Sequence, residues 1–576
     1  MTDLLPGEIA YVFMISVLDA ALLSWLALRW YRRSVFRLMR RRDSVPIHLH
    51  NQDASDVASS APDGATLPAQ LTFLMNDGPA SAGAAGTKSG RMLAAHRGRV
   101  IMAYGAGAAL YSLVVTIAMM AVAGGQRPIP AWFAVWWAHG WLIVPTLIAV
   151  LVLERTSAMA LAAAYVVTGS VLVSIVTLAN QVVHGRYNSA PVTNMYGIVE
   201  LIVVTALFPL CLVMLTAWRR IRGVMPLALA GTVLFGLASI FFRQALIDAF
   251  NEAHFRTALL DLSAAGSADI TNYGLFMLVA LPVGWMAWHV LQRIAGLFAR
   301  KRFSDVQLVV DCWWVTVAAA VIATDLIVAL GASGIAAGVA AFAVYRLSVA
   351  GVLRRVSARP TRPTRLLLLR VFGYQARTES LFDGVAQRWR FRGPVCLIAG
   401  VDLAGRTADP GDMLALLGGR LPAQYIASDD QVLERVGRLD ELPDPDGRFR
   451  VNKLFCHDDT WRSTLQGLLD TSDVVLMDLR SFSAQNAGCI FELEQLVSRV
   501  PTDRIVLVCD GSTDLGLLES TLGNAWSRSR GDGRARGSGA IALVRVERQN
   551  QPERRRLLAS LVAAAPRVVP DEEVAV

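Results

Sequence analysis

The sequence predicts a multi-pass α-helical membrane domain followed by a cytoplasmic α/β domain with a mainly parallel, doubly wound sheet. The first observation is composition: 54% of the 576 residues are hydrophobic and 18% are charged, with a mean hydropathy of +0.44. Soluble domains carry roughly 25% charged residues, so the apolar excess indicates helices in lipid. The second observation is a change of pattern, from apolar runs of about 20 residues to short β-rich runs after position 365.

Residues 1–42 are predicted to form the first transmembrane helix and the basic segment that ends it on the cytoplasmic side. No Lys or Arg precedes the apolar run 8–28, and a group of arginines follows it between positions 29 and 42. A cleavable signal peptide has its basic residues before the apolar run, so this helix is expected to remain uncleaved as a membrane anchor. Because basic residues favour the cytoplasmic side, the N-terminus is expected outside and the arginines inside.

Residues 43–99 are rich in Ala, Ser, Gly, Asp and Pro, apart from a short apolar patch at Leu71, Phe73 and Leu74. This composition predicts a flexible cytoplasmic linker. Residues 100–352 are predicted to form a transmembrane bundle of about eight helices. The runs that predict these helices are 101–123, 131–153, 157–182, 196–217, 224–243, 272–293, 307–330 and 333–350.

Residues 353–364 form a basic connector, which places the following domain in the cytoplasm. The expected location is therefore a bacterial inner (plasma) membrane, with the lipid bilayer as a partner. Ionisable residues within the predicted spans are costly in lipid and usually face the bundle interior. We expect contacts between helices for them rather than an ion path; they are Asp19, His139, His289, Asp311 and Asp325.

Residues 365–576 are predicted to form the α/β domain. The predicted strands are 366–372, 395–399, 424–427, 474–479, 505–509 and 541–546. The predicted helices are 378–390, 410–417, 459–469, 487–499, 513–525 and 552–563, with a mobile loop at 527–539. Continuous apolar strands alternating with helices are typical of a parallel sheet covered on both faces.

Cysteine spacing and charge placement exclude some classes of protein. The six cysteines form no CxxC pair, so neither a metal site nor a disulfide framework is expected. The net charge is +9, but the arginines lie beside apolar runs, which is typical of membrane topology. No nucleic-acid partner is expected.

Polar residues follow the predicted strand 474–479, at the edge of the sheet where open α/β proteins bind ligands. Asn486 is a candidate cap for the next helix, and Glu492 lies in the second turn of that helix. Glu494 lies about 200° further round the helix, so the two carboxylates are not expected to act as a pair.

The segment Gly488-Cys489-Ile490-Phe491-Glu492-Leu493, preceded by Ser481-Phe482-Ser483, resembles the Ser-Phe-Ser and Trp-Cys-x-x-Glu-Leu segment of Toll/interleukin-receptor (TIR) domains. It is also similar to the Gly-Thr-x-x-Glu-Leu segment of nucleoside deoxyribosyltransferases. The resemblance covers about a third of the chain. In both families the Glu, here Glu492, acts on an N-glycosidic bond. The resemblance therefore implies a catalytic Glu492, NAD or a related nucleotide as substrate, and self-association into homo-oligomers.

Residues at the ends of the predicted strands are candidates for binding that nucleotide, and no cofactor is expected. The candidates are Gly373, Tyr374, Asp402, Asp478, Arg480 and Ser481. The favoured function is a membrane-anchored TIR-like effector or signalling protein that cleaves the N-glycosidic bond of its substrate. The alternative is a non-catalytic nucleotide-sensing or self-association module coupled to a membrane sensor, and a transporter is third.

Overall fold

A computed structural model describes residues 6–40, 71–75, 83–123, 223–252, 268–317, 332–356, 363–370, 375–399, 409–457, 459–533 and 536–566, with the single positions 163, 167, 171 and 221. The chain divides into two units. One unit, called here the helical unit, comprises Met1–Tyr31, Arg99–Val356 and Thr407–Gly419. The other, called the sheet unit, comprises Arg32–Gly98, Ser357–Arg406 and Arg420–Val576.

The helices are α1 (Pro6–Arg40), α2 (Gly83–Ala123), α3 (Met225–Glu252), α4 (Ala268–Ala299), α5 (Asp305–Val317), α6 (Ala332–Val356), α7 (Gln375–Trp389), α8 (Pro410–Leu417), α9 (Asp430–Gly437), α10 (Trp461–Thr471), α11 (Ala487–Arg499), α12 (Leu515–Gly531) and α13 (Gln551–Ala564). The strands are β1 (Thr72–Met75), β2 (Leu366–Arg370), β3 (Val395–Ala399), β4 (Tyr425–Ile426), β5 (Val451–Cys456), β6 (Val474–Asp478), β7 (Ile505–Cys509) and β8 (Ala540–Arg545).

Three described helices are long and apolar enough to cross a membrane by length and composition. They contain the stretches Met14–Leu38 in α1, Gly98–Ala118 in α2 and Ser333–Arg355 in α6, and a shorter apolar stretch, Met225–Ala238, lies in α3. The predicted spans 131–153, 157–182 and 196–217 lie outside the described residues, apart from the isolated positions 163, 167 and 171.

The helical unit has a core of aromatic side chains from α2, α5 and α6. Trp314 contacts the rings of both Tyr111 and Tyr345, with centroids 4.9 and 5.3 Å apart. Arg346 of α6 donates to Asp311 of α5 at 2.5 Å, so the expected contact between helices is confirmed for Asp311.

Two other ionisable residues of the predicted spans are exposed, and they are Asp19 and His289. Among the described residues, His289 contacts Trp285 of its own helix, so its contact with another helix stays a prediction. His139 and Asp325 lie outside the described residues.

The described part of the sheet unit is an α/β domain with eight strands in the order β1-β8-β7-β6-β2-β3-β5-β4. Every strand pair in it is parallel. The central strands β2, β6 and β7 are buried along their whole length, as expected when helices cover both faces of a sheet. The α/β prediction is confirmed.

Two strands and one helix were not predicted. Strand β1 and the first part of α2 lie inside 43–99, so the prediction of a flexible linker was wrong for these parts. Strand β5 begins with Val451, Asn452 and Lys453, which are only partly buried and interrupt the apolar pattern. Helix α9 is a short amphipathic helix that buries only Val432 and Val436.

Two further predictions differ from the structure. Helix α12 continues to Gly531, so the loop predicted at 527–539 is helical at its start. Helix α8 was predicted within the α/β domain, but it belongs to the helical unit, where Leu414 packs with Phe298 and Phe303. The side chain of Gln292 also donates to the carbonyl oxygen of Leu417 at 2.7 Å.

Candidate functional site

The candidate site lies where the strand order of the sheet changes direction. Strand β2 has β3 on one side and β6 on the other, and such a position is where open α/β sheets bind ligands. The last residues of the two strands, Arg370 and Asp478, are partners in the β2–β6 register. Helix α11, which follows β6, brings Glu492 to this edge.

Glu492 is 3% exposed and lines a narrow pocket at the end of β2. Its Oε2 atom has no hydrogen-bond partner among the described residues. The other residues lining the pocket come from β2, β3 and α7, and they are Leu368, Leu369, Arg370, Phe382, Leu397 and Ile398. A buried carboxyl group thus faces a pocket whose walls are mostly apolar.

Burial raises the pKa of Glu492 from its ordinary value of 4.5 to about 8, and the positive charge of Arg370 opposes this shift. Burial acts in this direction because an apolar environment disfavours the charged form of a carboxyl group. At neutral pH the group is therefore mostly protonated. A positive charge entering the pocket would favour the carboxylate.

Helix α11 sets the position of Glu492 through its apolar face. The Sγ atom of Cys489, about one turn before Glu492, lies 3.8 Å from the carbonyl oxygen of Arg370. Leu493 and Leu496 are fully buried. Glu494 instead contacts Arg528 at 2.5 Å on a more exposed face of the helix. This confirms that the two carboxylates do not share a face.

Asp478 and Arg480, both predicted to bind substrate, form a buried ion pair with each other. The carboxylate of Asp478 accepts hydrogen bonds from Nε and Nη2 of Arg480 at 2.8 and 2.7 Å. Such a two-point contact fixes the geometry of both groups. Their proximity to the end of β2 is observed, while their role in substrate binding stays a prediction.

Ser481 connects two neighbouring loops at the same edge. Its φ is 65°, in the left-handed region that residues other than glycine rarely adopt. The Oγ atoms of Ser481 and Ser512 are 3.1 Å apart, and Ser512 donates to Asp510 at 2.5 Å. Thr513 also donates to the carbonyl oxygen of Leu479 at 3.0 Å. The loop after β6 is therefore held by the loop after β7.

Asp510, Ser512 and Thr513 were not predicted from the sequence. The feature that could have identified them is their position directly after the apolar strand β7. This position lies at the edge of the sheet that also holds the loop after β6. Asn486 lies at the N-cap position of α11, as predicted, but its side chain makes no hydrogen bond to the start of the helix. Asn486 accepts from the backbone N–H of Ser483 at 2.9 Å instead.

Three predicted binding residues, Gly373, Tyr374 and Asp402, lie outside the described residues. They follow the ends of β2 and β3 in the chain, so their role stays a prediction. Within the parts of the chain that the structure describes, no group of three or more His, Cys, Asp or Glu residues could hold a metal ion.

Comparisons of the chain with protein-family models, curated proteins and solved structures found no match.

Proposed function

We propose that the chain is a multi-pass inner-membrane protein whose cytoplasmic α/β domain cleaves the N-glycosidic bond of NAD or a related nucleotide. One observation carries this proposal: the buried carboxyl group of Glu492, whose Oε2 atom has no hydrogen-bond partner among the described residues, faces a pocket where the strand order of the sheet changes direction. This is the residue on which the resemblance to TIR domains places the catalytic carboxylate. The three candidate spans support the membrane part.

The chemistry follows from the charge of the substrate. The pyridinium ring of NAD is positive, so its entry would lower the pKa of Glu492 and release a proton from the carboxyl group. The resulting carboxylate would stabilise positive charge on the ribose as the C–N bond breaks. The electron pair of that bond leaves with nicotinamide, and water adds to the anomeric carbon to give ADP-ribose and a proton.

Membranes that contain the full-length protein provide the test. They would be incubated with NAD, NADP and nucleosides while nicotinamide or free base is measured. Glu492→Gln should lower turnover by about 100-fold or more, because the amide keeps the shape of the side chain and loses its charge. Glu494→Gln, two residues away and more exposed, should retain turnover. Equal losses in both variants, or no release by the wild-type protein, would contradict the proposal.

The membrane topology has a separate test. Reporters active only in the cytoplasm or only after export would be fused after residues 60, 190, 260 and 360. Cytoplasmic signals are expected at 60 and 360, and external signals at 190 and 260. An external signal at 360 would overturn the proposal, because the α/β domain would then be separated from cytoplasmic nucleotides.

A second candidate is a non-catalytic module that senses a nucleotide or associates with itself. It is favoured by the small size of the pocket beside Glu492, about 10 Å³, which holds about one water molecule. Sites for small molecules usually measure about 300–1,000 Å³. A pocket of this size favours the self-associating form of the module, which predicts neither release of nicotinamide nor binding of NAD when both are measured on the membranes.

A further inference from the structure

Strand β1 closes one edge of the sheet and is its least buried strand. It pairs with β8 from Thr72, opposite Ala540, to Met75, opposite Leu543. Leu71 and Phe73 are the residues of this segment that pack against the core, and both are only partly buried. The other three positions are exposed. A four-residue strand attached in this way is expected to open more easily than the buried strands of the sheet.

The edge of β8 is held in place without β1. On its other side β8 pairs with β7, and Val546 donates to the carbonyl oxygen of Cys509 at 2.9 Å. At the start of β8, Gly539 donates to Oγ1 of Thr502 at 2.9 Å. The edge would therefore keep its shape if β1 left it.

The sequence of that edge is suited to pairing. From Ala540 to Val544 it contains neither a charge nor a proline, whereas natural edge strands use such residues to prevent contact with other strands. In a two-fold symmetric pair the same strand of both copies meets in an antiparallel ladder. The partner that this edge fits is a second copy of the chain.

The position of β1 in the chain links it to two helices. Helix α1 precedes it and α2 follows it after residues 76–82, and both helices contain stretches able to cross a membrane. Only α2 is close to β1 in the chain, since α1 ends at Arg40. Residues 71–75 are thereby placed to respond to a movement of α2.

We propose that residues 71–75 are a releasable clamp on the edge of β8. When the clamp is in place, the edge is closed and the α/β domains stay apart. When the clamp is withdrawn, the β8 edges of two copies pair with each other. The proposal goes beyond nucleotide cleavage and does not depend on it, so its test uses no measurement of activity.

The test measures self-association of the full-length protein in lipid vesicles. Copies with donor and acceptor fluorescent proteins at the C-terminus would be mixed at a fixed ratio of protein to lipid. Phe73→Asp removes an apolar side chain that faces the core and should raise energy transfer severalfold. The matched control is Leu74→Asp, which changes a neighbouring exposed position and should leave energy transfer near the wild-type value. Equal values for both variants would overturn the proposal.

A locked variant tests the same clamp without disrupting it. Leu74 and Ala542 are partners in the β1–β8 register, and neighbouring strands lie about 4.8 Å apart, within reach of a disulfide. The double variant Leu74→Cys, Ala542→Cys should form an intrachain disulfide, lower energy transfer and regain it after reduction. Unchanged energy transfer in the locked protein would overturn the proposal. Disulfides between chains would do the same, because they would indicate exchange of β1 between copies.

Discussion

The substitution Glu492→Gln should stabilise the protein while it removes the group that we propose to be catalytic. The carboxyl group has an ordinary pKa of 4.5, and burial raises it to about 8. Between these values the folded protein keeps a proton that the unfolded chain has released, so stability falls as the pH rises. Each pH unit in this window costs about 1.4 kcal/mol, so the group lowers stability by about 3 kcal/mol at pH 7.

Thermal unfolding of the solubilised full-length protein measures this effect. The described cysteines are buried, so a thiol-reactive dye reports their exposure on unfolding. For domains of about 150–250 residues, 1 kcal/mol corresponds to roughly 2–4 °C in Tm. Glu492→Gln should therefore raise the Tm by roughly 6–12 °C at pH 7 and leave it near the wild-type value at pH 4.5.

Glu494→Gln is the control, because this carboxylate forms a more exposed pair with Arg528, and such pairs contribute little. The difference in Tm between this variant and the wild-type protein should not grow with pH. Equal Tm values of Glu492→Gln and the wild-type protein at every pH would contradict a raised pKa of Glu492. A difference in Tm that shrinks as the pH rises would contradict it as well.

Two further variants test contacts close to Glu492, and a third tests the packing of α2 on α6 in the helical unit. Arg370→Met removes the positive charge that opposes the raised pKa of the buried carboxyl group, so the midpoint of the pH dependence of unfolding should move upward. Asp478→Asn removes the carboxylate that pairs with the buried Arg480 and should cost about 3–5 kcal/mol, measured by the same thiol assay. A changed KM with unchanged Tm would instead indicate substrate binding. Gly107→Ala places a Cβ 2.7 Å from a valine methyl of α6 and should cost about 1–3 kcal/mol, whereas Gly105→Ala, with no atom of the described residues within 4 Å of its Cβ, should not lower the Tm.

The strands that could be predicted from the sequence are those whose apolar runs are continuous. Strands β3 and β7 match their predicted bounds because both are uninterrupted apolar runs. Strand β5 was missed because only its second half is buried. Strand β1 was missed because its pairing with β8 joins positions more than 400 residues apart. No local sequence pattern indicates such a contact.

The candidate site was predictable only where a local motif marks it. Glu492 was selected from its place in the segment after β6, and its spacing from Cys489 and Leu496 puts it on the same buried face of α11. The ion pair between Asp478 and Arg480 and the contact between Ser481 and Ser512 depend on how the loops fold back at the edge. These contacts became visible only in three dimensions.

The pH dependence of nicotinamide release from NAD tests the central claim most directly. If the carboxylate of Glu492 stabilises the charge on ribose, kcat/KM of the full-length protein in membranes should rise with pH and level off above about 8, the pKa of this group. Glu492→Gln should show no such rise at any pH, while Glu494→Gln should follow the wild-type profile. A profile that falls as the pH increases through 8, or turnover by Glu492→Gln equal to that of the wild-type protein, would contradict the account.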